Sequence, residues 1–167
     1  MEYNKIREYS LELDSNIIES FTAKGKEIGN KYDSLLMNGE PCRVVKCVKK
    51  QMKNSVLKYI EITGLNYWNE SELKMTILEN DEVTVPILKK ISFFLINIDE
   101  QNKVLTLMDV KGNTRADIKL CYVTENDRKI SDDLVLSKIK NCEIIVTVMF
   151  CMNYEKVINY KIINKTK

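Results

Sequence analysis

The most informative absence in this 167-residue chain is histidine, of which it has none. Without histidine, neither a Ser-His-Asp triad nor a Cys-His pair can be built, and the commonest zinc ligand is missing. A glycine-rich phosphate loop and a nucleophile motif are also lacking. We therefore expect no enzyme activity, no catalytic residues, no metal site and no cofactor.

Long apolar runs are absent as well. No segment approaches the roughly 18 uninterrupted apolar residues that a membrane helix needs. The first residues, MEYNKIREYS, lack the basic-then-apolar layout of a signal peptide. We expect a cytoplasmic protein with no membrane partner.

Cysteine is present, but not in a pattern that indicates a bond or a metal. The chain has five cysteines, an odd number, and no pair has C-x-x-C spacing. Cytosolic proteins rarely keep disulfides, so buried, reduced thiols are the interpretation that this spacing favours.

Charge is nearly balanced overall, with a net charge of +2, but it is unevenly distributed. The stretch from Lys46 to Lys58 contains five lysines and no acidic residue. Such a run is often only a solvated surface. It is also the pattern that contacts nucleic-acid phosphates.

Most of the chain has the short, closely spaced apolar patterns of β-strands. Residues 42–50 and 56–63 predict a hairpin whose polar, lysine-rich tip is QMKNS, residues 51–55. The NGEP segment, residues 38–41, predicts a turn. Further strands are predicted at 73–78, 83–88, 92–98, 103–110, 116–123, 142–151 and 156–163.

Two segments depart from the strand pattern. Ile6, Tyr9, Leu13, Ile17 and Phe21 recur at helix-like spacing and indicate a short helical or partly ordered arm. Ser131, followed by two aspartates, predicts the N-cap of a helix that ends near lysines 138 and 140.

This pattern favours a mainly β protein built from small barrels. Three parts are predicted: an N-terminal arm over residues 1–30, a first domain over 31–81 and a second over 82–167, with the boundary near 80–83. Small barrels of this kind commonly bind nucleic acids.

Four segments of the chain together carry the pattern of a known protein family. EPCRVVK at 40–46 is similar to the family's first strong strand, and VTVPILKK at 83–90 to its linker and first C-terminal strand. KVLTLMDVKGNTRADIK at 103–119 reproduces its Leu-x-Leu-Met, Gly-x-Thr and Asp-apolar-Lys order. EIIVTVMFCM at 143–152 resembles the final core strand. These pieces keep their order across roughly residues 32–163, and together they resemble the eukaryotic translation initiation factor 5A family.

The resemblance implies an SH3-like N-terminal barrel followed by an OB-fold domain with one short helix. It also implies a ribosome-binding translation factor that acts at the exit site beside peptidyl-tRNA, supporting elongation and termination at stalled ribosomes. The implied partners are the ribosome, ribosomal RNA and peptidyl-tRNA. In the family, one lysine at a hairpin tip becomes hypusine, through deoxyhypusine synthase and a hydroxylase.

The modification loop is where this chain departs from the family. The family's loop resembles Thr-Gly-Lys-His-Gly, whereas the matching stretch here is VKKQMKNSVL, residues 48–57, without the glycines or the histidine. Lys53 lies nearest the modified position and Lys50 second, so Lys53 is either the modification candidate or an ordinary charged residue. The predicted ribosome- and tRNA-binding set is Lys46, Lys49, Lys50, Lys53, Asn54 and Lys58.

Other residues also allow two interpretations. Tyr67 and Trp68 could stack on a base, although such residues more often pack on the end of a barrel. Lys89 and Lys90 are as typical of a solvated surface as of an RNA contact. Cys42 and the pair Leu107–Met108 are core candidates.

Two alternatives to the translation factor remain. One is a structural, self-assembling protein on the same fold, similar to fungal Woronin-body proteins, which lack the modifiable loop; the retained basic run argues against it. The other is a hibernation factor that occupies the ribosomal site without stimulating synthesis.

Overall fold

The structure is a computed structural model that describes residues 19–165. Strands dominate these residues, as the sequence predicts, and one α-helix interrupts them. The chain divides into two compact units, which within the described residues comprise 19–88 and 89–165. The helix predicted in the N-terminal arm lies mostly outside the described residues. Phe21, the last residue of its pattern, belongs instead to a strand.

The first unit is built from six short antiparallel strands. A curled four-stranded sheet has the order β2-β3-β4-β5, and β1 pairs with β6 in a separate two-stranded ribbon. This arrangement is the SH3-like barrel that the family resemblance implies. The strands are β1 (Ser20–Lys24), β2 (Ser34–Met37), β3 (Glu40–Gln51), β4 (Lys58–Asn66), β5 (Glu72–Leu78) and β6 (Glu82–Pro86).

The predicted NGEP turn joins β2 to β3. Asn38 and Gly39 both have positive φ, 51° and 79°, and they separate the paired residues Met37 and Glu40. Two-residue hairpin turns need this backbone because its twist matches that of the flanking strands, and Asn-Gly adopts it most readily.

Alternation along β3 and β4 separates a core face from an outer face. Ile60 and Ile62 are fully buried and lie opposite Lys49 and Cys47. Cys42 is buried in the same core, as predicted. One face therefore packs into the barrel, while the intervening residues point to the outer side of the sheet.

Gly64 lies inside β4, which continues beyond the predicted end of this strand at residue 63. A Cβ at this position would lie 2.6 Å from Met37 Sδ and 3.0 Å from Cys42 Cβ. The glycine therefore lets the buried side chains of Met37 on β2 and Cys42 on β3 approach the backbone of β4, and it does not end the strand as a loop residue would.

The second unit contains a five-stranded sheet and the helix. Its strands are ordered β11-β10-β7-β8-β9, and the unit is the OB-fold domain that the family resemblance implies. Leu107 is buried in its core and Met108 is half-buried. The elements are β7 (Leu88–Asp99), β8 (Val104–Met108), β9 (Thr114–Lys119), α1 (Glu125–Ile139), β10 (Cys142–Cys151) and β11 (Tyr154–Lys165).

The helix exists where the sequence indicates one, but the prediction that Ser131 starts it is wrong. Thr124 is the N-cap: its hydroxyl accepts from the backbone N–H of Asp127, whose carboxylate accepts from the N–H of Thr124. Ser131 is buried within the helix and donates to the carbonyl of Cys121 at 2.6 Å. Its partner lies ten residues away, so local capping rules could not distinguish this role from a cap.

The domain boundary also differs from the one predicted near 80–83. The division lies after Leu88, because β6 pairs with β1 from Ser20↔Pro86 to Lys24↔Glu82 and so belongs to the first unit. The VTVPIL segment, residues 83–88, is predicted as one strand at the start of the second domain. In the structure its residues 83–86 belong to β6, Ile87 lies between strands, and Leu88 begins β7.

Candidate nucleic-acid interface

The hairpin between β3 and β4 ends in a six-residue segment, Met52–Leu57, which we call the tip. A β-turn forms it, since the N–H of Ser55 donates to the carbonyl of Met52 at 3.2 Å. Lys53 and Asn54 are the central residues of that turn. The structure thus places Lys53 at the apex of the hairpin, with its side chain exposed.

Asn54 takes the backbone conformation for which a glycine would ordinarily be chosen. Its φ is 59°, in the left-handed region. Among residues with a side chain, asparagine enters this region most readily because its short polar group bonds locally. A tight apex therefore forms here although no glycine is present in the tip.

Local hydrogen bonds hold the tip in shape. The side-chain amide of Gln51 donates to the carbonyl of Ser55 at 2.9 Å, and the Ser55 hydroxyl accepts from the N–H of Leu57 at 3.0 Å. The N–H of Met52 donates to the carbonyl of Leu57 at 3.1 Å. The apex is consequently defined by polar contacts within the hairpin and does not depend on the barrel core.

The register distributes the lysines over both faces of the hairpin. Lys49 lies opposite Ile60, and Lys58 precedes Ile60 by two residues, so both continue the core-facing side beyond the core. Lys46 and Lys50 lie on the outer side, opposite Thr63 and Tyr59. With Lys53 at the apex, positive charge surrounds the end of the hairpin.

Lys50 differs from the other lysines because it has an internal partner. Its ammonium lies 2.7 Å from a carboxylate oxygen of Glu61 on β4, and this hydrogen bond raises the pKa of Lys50. Within residues 19–165, no acidic side chain lies within ion-pairing distance of the remaining four lysines, Lys46, Lys49, Lys53 and Lys58. Their charge is available to an external anion.

The structure brings all six predicted binding residues into this one hairpin and places the other candidates elsewhere. The Tyr67 hydroxyl lies 2.6 Å from the Ser34 hydroxyl, and the N–H of Trp68 donates to the Asn66 side chain. Both aromatic side chains are half-buried, which favours the packing interpretation. Lys89 and Lys90 are half-buried on β7, in the second unit.

Three apolar residues of the tip were not among the predicted site residues. Val56 is 90% exposed, and Met52 and Leu57 are each about half exposed. The sequence contained a signal for them, since Val-Leu directly follows the polar turn residues. Strand alternation, however, assigns Val56 and Leu57 to a core. They lie outside it because β4 begins only at Lys58, and Met52 lies outside because β3 ends at Gln51.

The cysteines and the remaining polar groups do not form a second chemical site in the described part of the chain. None of the five cysteines, all of which lie within residues 19–165, forms a disulfide, and burial raises the pKa of Cys42 to about 11, which disfavours the reactive thiolate. Among residues 19–165, no group of three or more His, Cys, Asp or Glu side chains is placed to hold a metal ion. No helix in the same range is long and apolar enough to cross a membrane.

Comparison with known proteins gives a family match for the second unit. Residues 87–161 match the family described as eukaryotic elongation factor 5A hypusine, DNA-binding OB fold. This range excludes the tip, so the match does not bear on Lys53. A search of curated proteins by sequence found no match.

Two solved structures share the fold over most of the chain. A translation initiation factor eif-5a family protein from Naegleria fowleri is 20% identical, with a TM-score of 0.79 over 86% of this chain and 99% of that one. Eukaryotic translation initiation factor 5A from Methanococcus jannaschii is 12% identical, with a TM-score of 0.62 over 87% and 96%. At these identities the likeness shows the two-domain fold.

Proposed function

We propose that this chain, a divergent member of the eukaryotic initiation factor 5A family, acts on the ribosome through its β3–β4 hairpin. The family supports a role in translation. The finer proposal is that the hairpin enters the exit site beside peptidyl-tRNA and supports elongation and termination when ribosomes stall. We place the protein in the cytoplasm, where those ribosomes are.

The observation that carries the proposal is the lysine-rich, acid-free end of the hairpin, with Lys53 at its apex. Ribosomal RNA presents closely spaced phosphates, and each lysine that neutralises one contributes to affinity through counterion release. A β-turn held by its own hydrogen bonds presents these charges without changing the barrel. Such a tip supports peptide transfer by positioning the tRNA end, and it needs no proton-transfer group of its own.

Lys53 is the candidate for modification by deoxyhypusine synthase. Its apex position and exposure support access by a modifying enzyme, and Asn54 supplies the backbone conformation that a glycine would otherwise provide. If Lys53 carries no modification, its ammonium still meets phosphate directly. The intact mass of the native protein distinguishes the two forms.

Co-sedimentation with ribosomes at several salt concentrations tests ribosome binding. We expect binding that weakens as salt rises, and a smaller salt dependence for Lys53→Ala, by about one unit of the log–log slope. Lys129→Ala is the matched control, because Lys129 is an exposed lysine of the second unit. Binding that does not change with ionic strength would contradict the proposal, and so would an equal change of the salt dependence in Lys53→Ala and Lys129→Ala. Assembly into large particles with rising concentration would favour the structural alternative.

A translation assay on a proline-rich message tests the role of the apex. If Lys53 is unmodified, Lys53→Arg should keep most activity, because a guanidinium also meets phosphate. If Lys53 carries hypusine, both Lys53→Arg and Lys53→Ala should lose relief of stalling while much of the ribosome binding survives. Equal activity of wild type and both variants would show that the apex is not the working site.

A further inference from the structure

The tip exposes apolar side chains where a purely electrostatic contact would need none. Met52, Val56 and Leu57 occupy half of its six positions, and none belongs to the core of the first unit. Single exposed apolar residues are ordinary. Here three of them lie at the end of one hairpin, and Met52 and Leu57 directly precede the exposed Lys53 and Lys58. Phosphate contacts alone do not explain such a combined surface.

These side chains also have no evident task in holding the tip together. The hydrogen bonds that close it involve the backbone, the Gln51 side chain and the Ser55 hydroxyl. Replacing an exposed apolar residue here should therefore leave the fold intact. Their exposure is better explained by contact with a partner.

The charges around the tip indicate what kind of partner that is. The segment from Lys46 to Lys58 has no acidic residue, and the nearest acid across the hairpin, Glu61, is paired with Lys50. The partner is therefore anionic, but it must also present apolar surface. Double-stranded RNA offers phosphates and hydroxyls, while its base faces are stacked inside the helix. Unpaired nucleotides offer both phosphates and free base faces.

We infer that Met52, Val56 and Leu57 form a nucleobase-contacting surface, so that the tip recognises unpaired nucleotides of RNA rather than a duplex. This inference rests on the proposed function and specifies the partner of the same site. Apolar side chains inserted against bases are an established mode of nucleic-acid contact. The lysines supply affinity for any RNA, and the apolar residues supply preference for unpaired bases.

Basic residues next to apolar ones also bind anionic membranes. Membrane association, however, scales with the buried apolar area and generally uses the long apolar face of an amphipathic helix. Three side chains on a β-turn provide a small area, whereas a single base face needs no more. The structure therefore favours RNA, and vesicle binding is one of the outcomes to be measured.

The test compares two RNA hairpins that share a stem, one blunt-ended and one with a four-nucleotide single-stranded 3′ overhang. Affinity is measured by fluorescence anisotropy for the full chain and for a triple variant, Met52→Ser, Val56→Ser and Leu57→Ser. Val110→Ser is the matched control, because Val110 is a highly exposed valine in the second unit. Vesicles containing anionic phospholipid are the third probe, and circular dichroism checks that each variant is folded.

We expect the wild type to prefer the overhang by about fivefold, the lower end of the range for aromatic side chains against bases, because non-aromatic side chains offer a smaller contact. The triple variant should lose this preference and keep the salt dependence of binding, while Val110→Ser should keep both. No preference in the wild type, a preserved preference in the triple variant, or tighter tip-dependent binding to vesicles would overturn the inference.

Ribosome co-sedimentation separates this inference from the proposed function. If wild type sediments with ribosomes in a salt-dependent manner but does not prefer the overhang, the inference fails and the proposed function stands. If wild type does not sediment with ribosomes at all, the proposed function fails whatever the RNA hairpins show.

Discussion

The two units of this protein use lysine in opposite ways. In the second unit, Lys156 is only 7% exposed and lies 3.1 Å from the carboxylate of Asp127, itself 3% exposed. In the first, Lys53 stands at the apex of a hairpin, with no acidic partner within the described residues. A buried ammonium must be paired internally, whereas an exposed one can remain available to a partner.

The difference separates charges that stabilise the fold from charges that remain available to a partner. Asp127 joins three contacts: it accepts from the N–H of Thr124, pairs with Lys156 on β11, and lies 3.4 Å from the Cys121 thiol. Burial by itself would raise the pKa of Asp127, but the hydrogen bonds from Thr124 and Lys156 outweigh it and lower this pKa. The carboxylate thus stays charged while fixing α1 against β11.

The largest effect should come from breaking the buried pair. Asp127→Ala leaves the Lys156 ammonium buried without its carboxylate and also removes the capping box. Removing one partner of a buried pair typically costs about 3–5 kcal/mol in free energy of unfolding. Chemical denaturation measures this loss. Asp117→Ala is the control, because Asp117 forms an exposed pair with Arg115 and should cost no more than about 1 kcal/mol. Equal losses in the two variants would contradict the comparison.

The same pair should make the free energy of unfolding depend on pH in the acidic range. Because the pKa of Asp127 is lower in the folded protein, its contribution is fully present above the ordinary carboxyl pKa, about 3.9, and is lost as pH falls through the lowered value. The difference in unfolding free energy between wild type and Asp127→Ala should therefore shrink below about pH 4. A difference that stays constant down to pH 2 would show that the ionised carboxylate is not responsible.

A smaller loss of stability is expected when a side chain is added at Gly64 in the first unit, where neighbouring side chains lie close to the backbone. Gly64→Ala places a methyl group against Met37 Sδ and Cys42 Cβ, and overpacking of this kind costs roughly 1–3 kcal/mol. Gly39→Ala is an instructive comparison, because its Cβ would meet no atom within 4 Å and its cost arises from the positive φ alone. Thermal unfolding of the two variants separates packing from backbone strain. Full stability of Gly64→Ala would mean that the neighbours move aside.

At Asn54 in the tip, stability should depend more on the backbone conformation that a residue can adopt than on the chemistry of its side chain. Asn54→Val forces a β-branched residue into the left-handed region, at a cost of about 1–2 kcal/mol. Asn54→Gly should be close to neutral in stability, since glycine adopts positive φ freely. Denaturation reports the stability of each variant. If Val and Gly behave alike, the apex does not keep this conformation in solution.

The smallest effect on stability should come from removing the charged side chain of Lys53 at the apex. Lys53→Ala should change the unfolding free energy by no more than about 0.5 kcal/mol, because the side chain is exposed and has no acidic partner within residues 19–165. The contrast with Asp127→Ala, measured by the same denaturation, is the sharpest form of the comparison. A loss above about 1 kcal/mol would assign Lys53 a structural role.

The mainly β architecture could be predicted from the sequence because its signals are local. Alternation around Ile60 and Ile62 marks a half-buried strand, and Asn38-Gly39 marks a two-residue turn. The lysine run also marks the candidate nucleic-acid contact, since the absence of acidic residues from 46 to 58 can be read along the chain. These features depend on near neighbours in sequence, where backbone and side-chain preferences act directly.

Other features depend on residues that meet only in the folded chain. Ser131 resembles an N-cap, but its partner is the carbonyl of Cys121, and Thr124 caps the helix instead. β6 joins the first unit because it pairs with β1, some sixty residues earlier in the chain. Lys156 and Lys53 are the same residue type, yet only the position of Asp127 gives one a buried partner. Tertiary structure therefore decided which lysines remain available, because pairing and burial are set by contacts between distant segments.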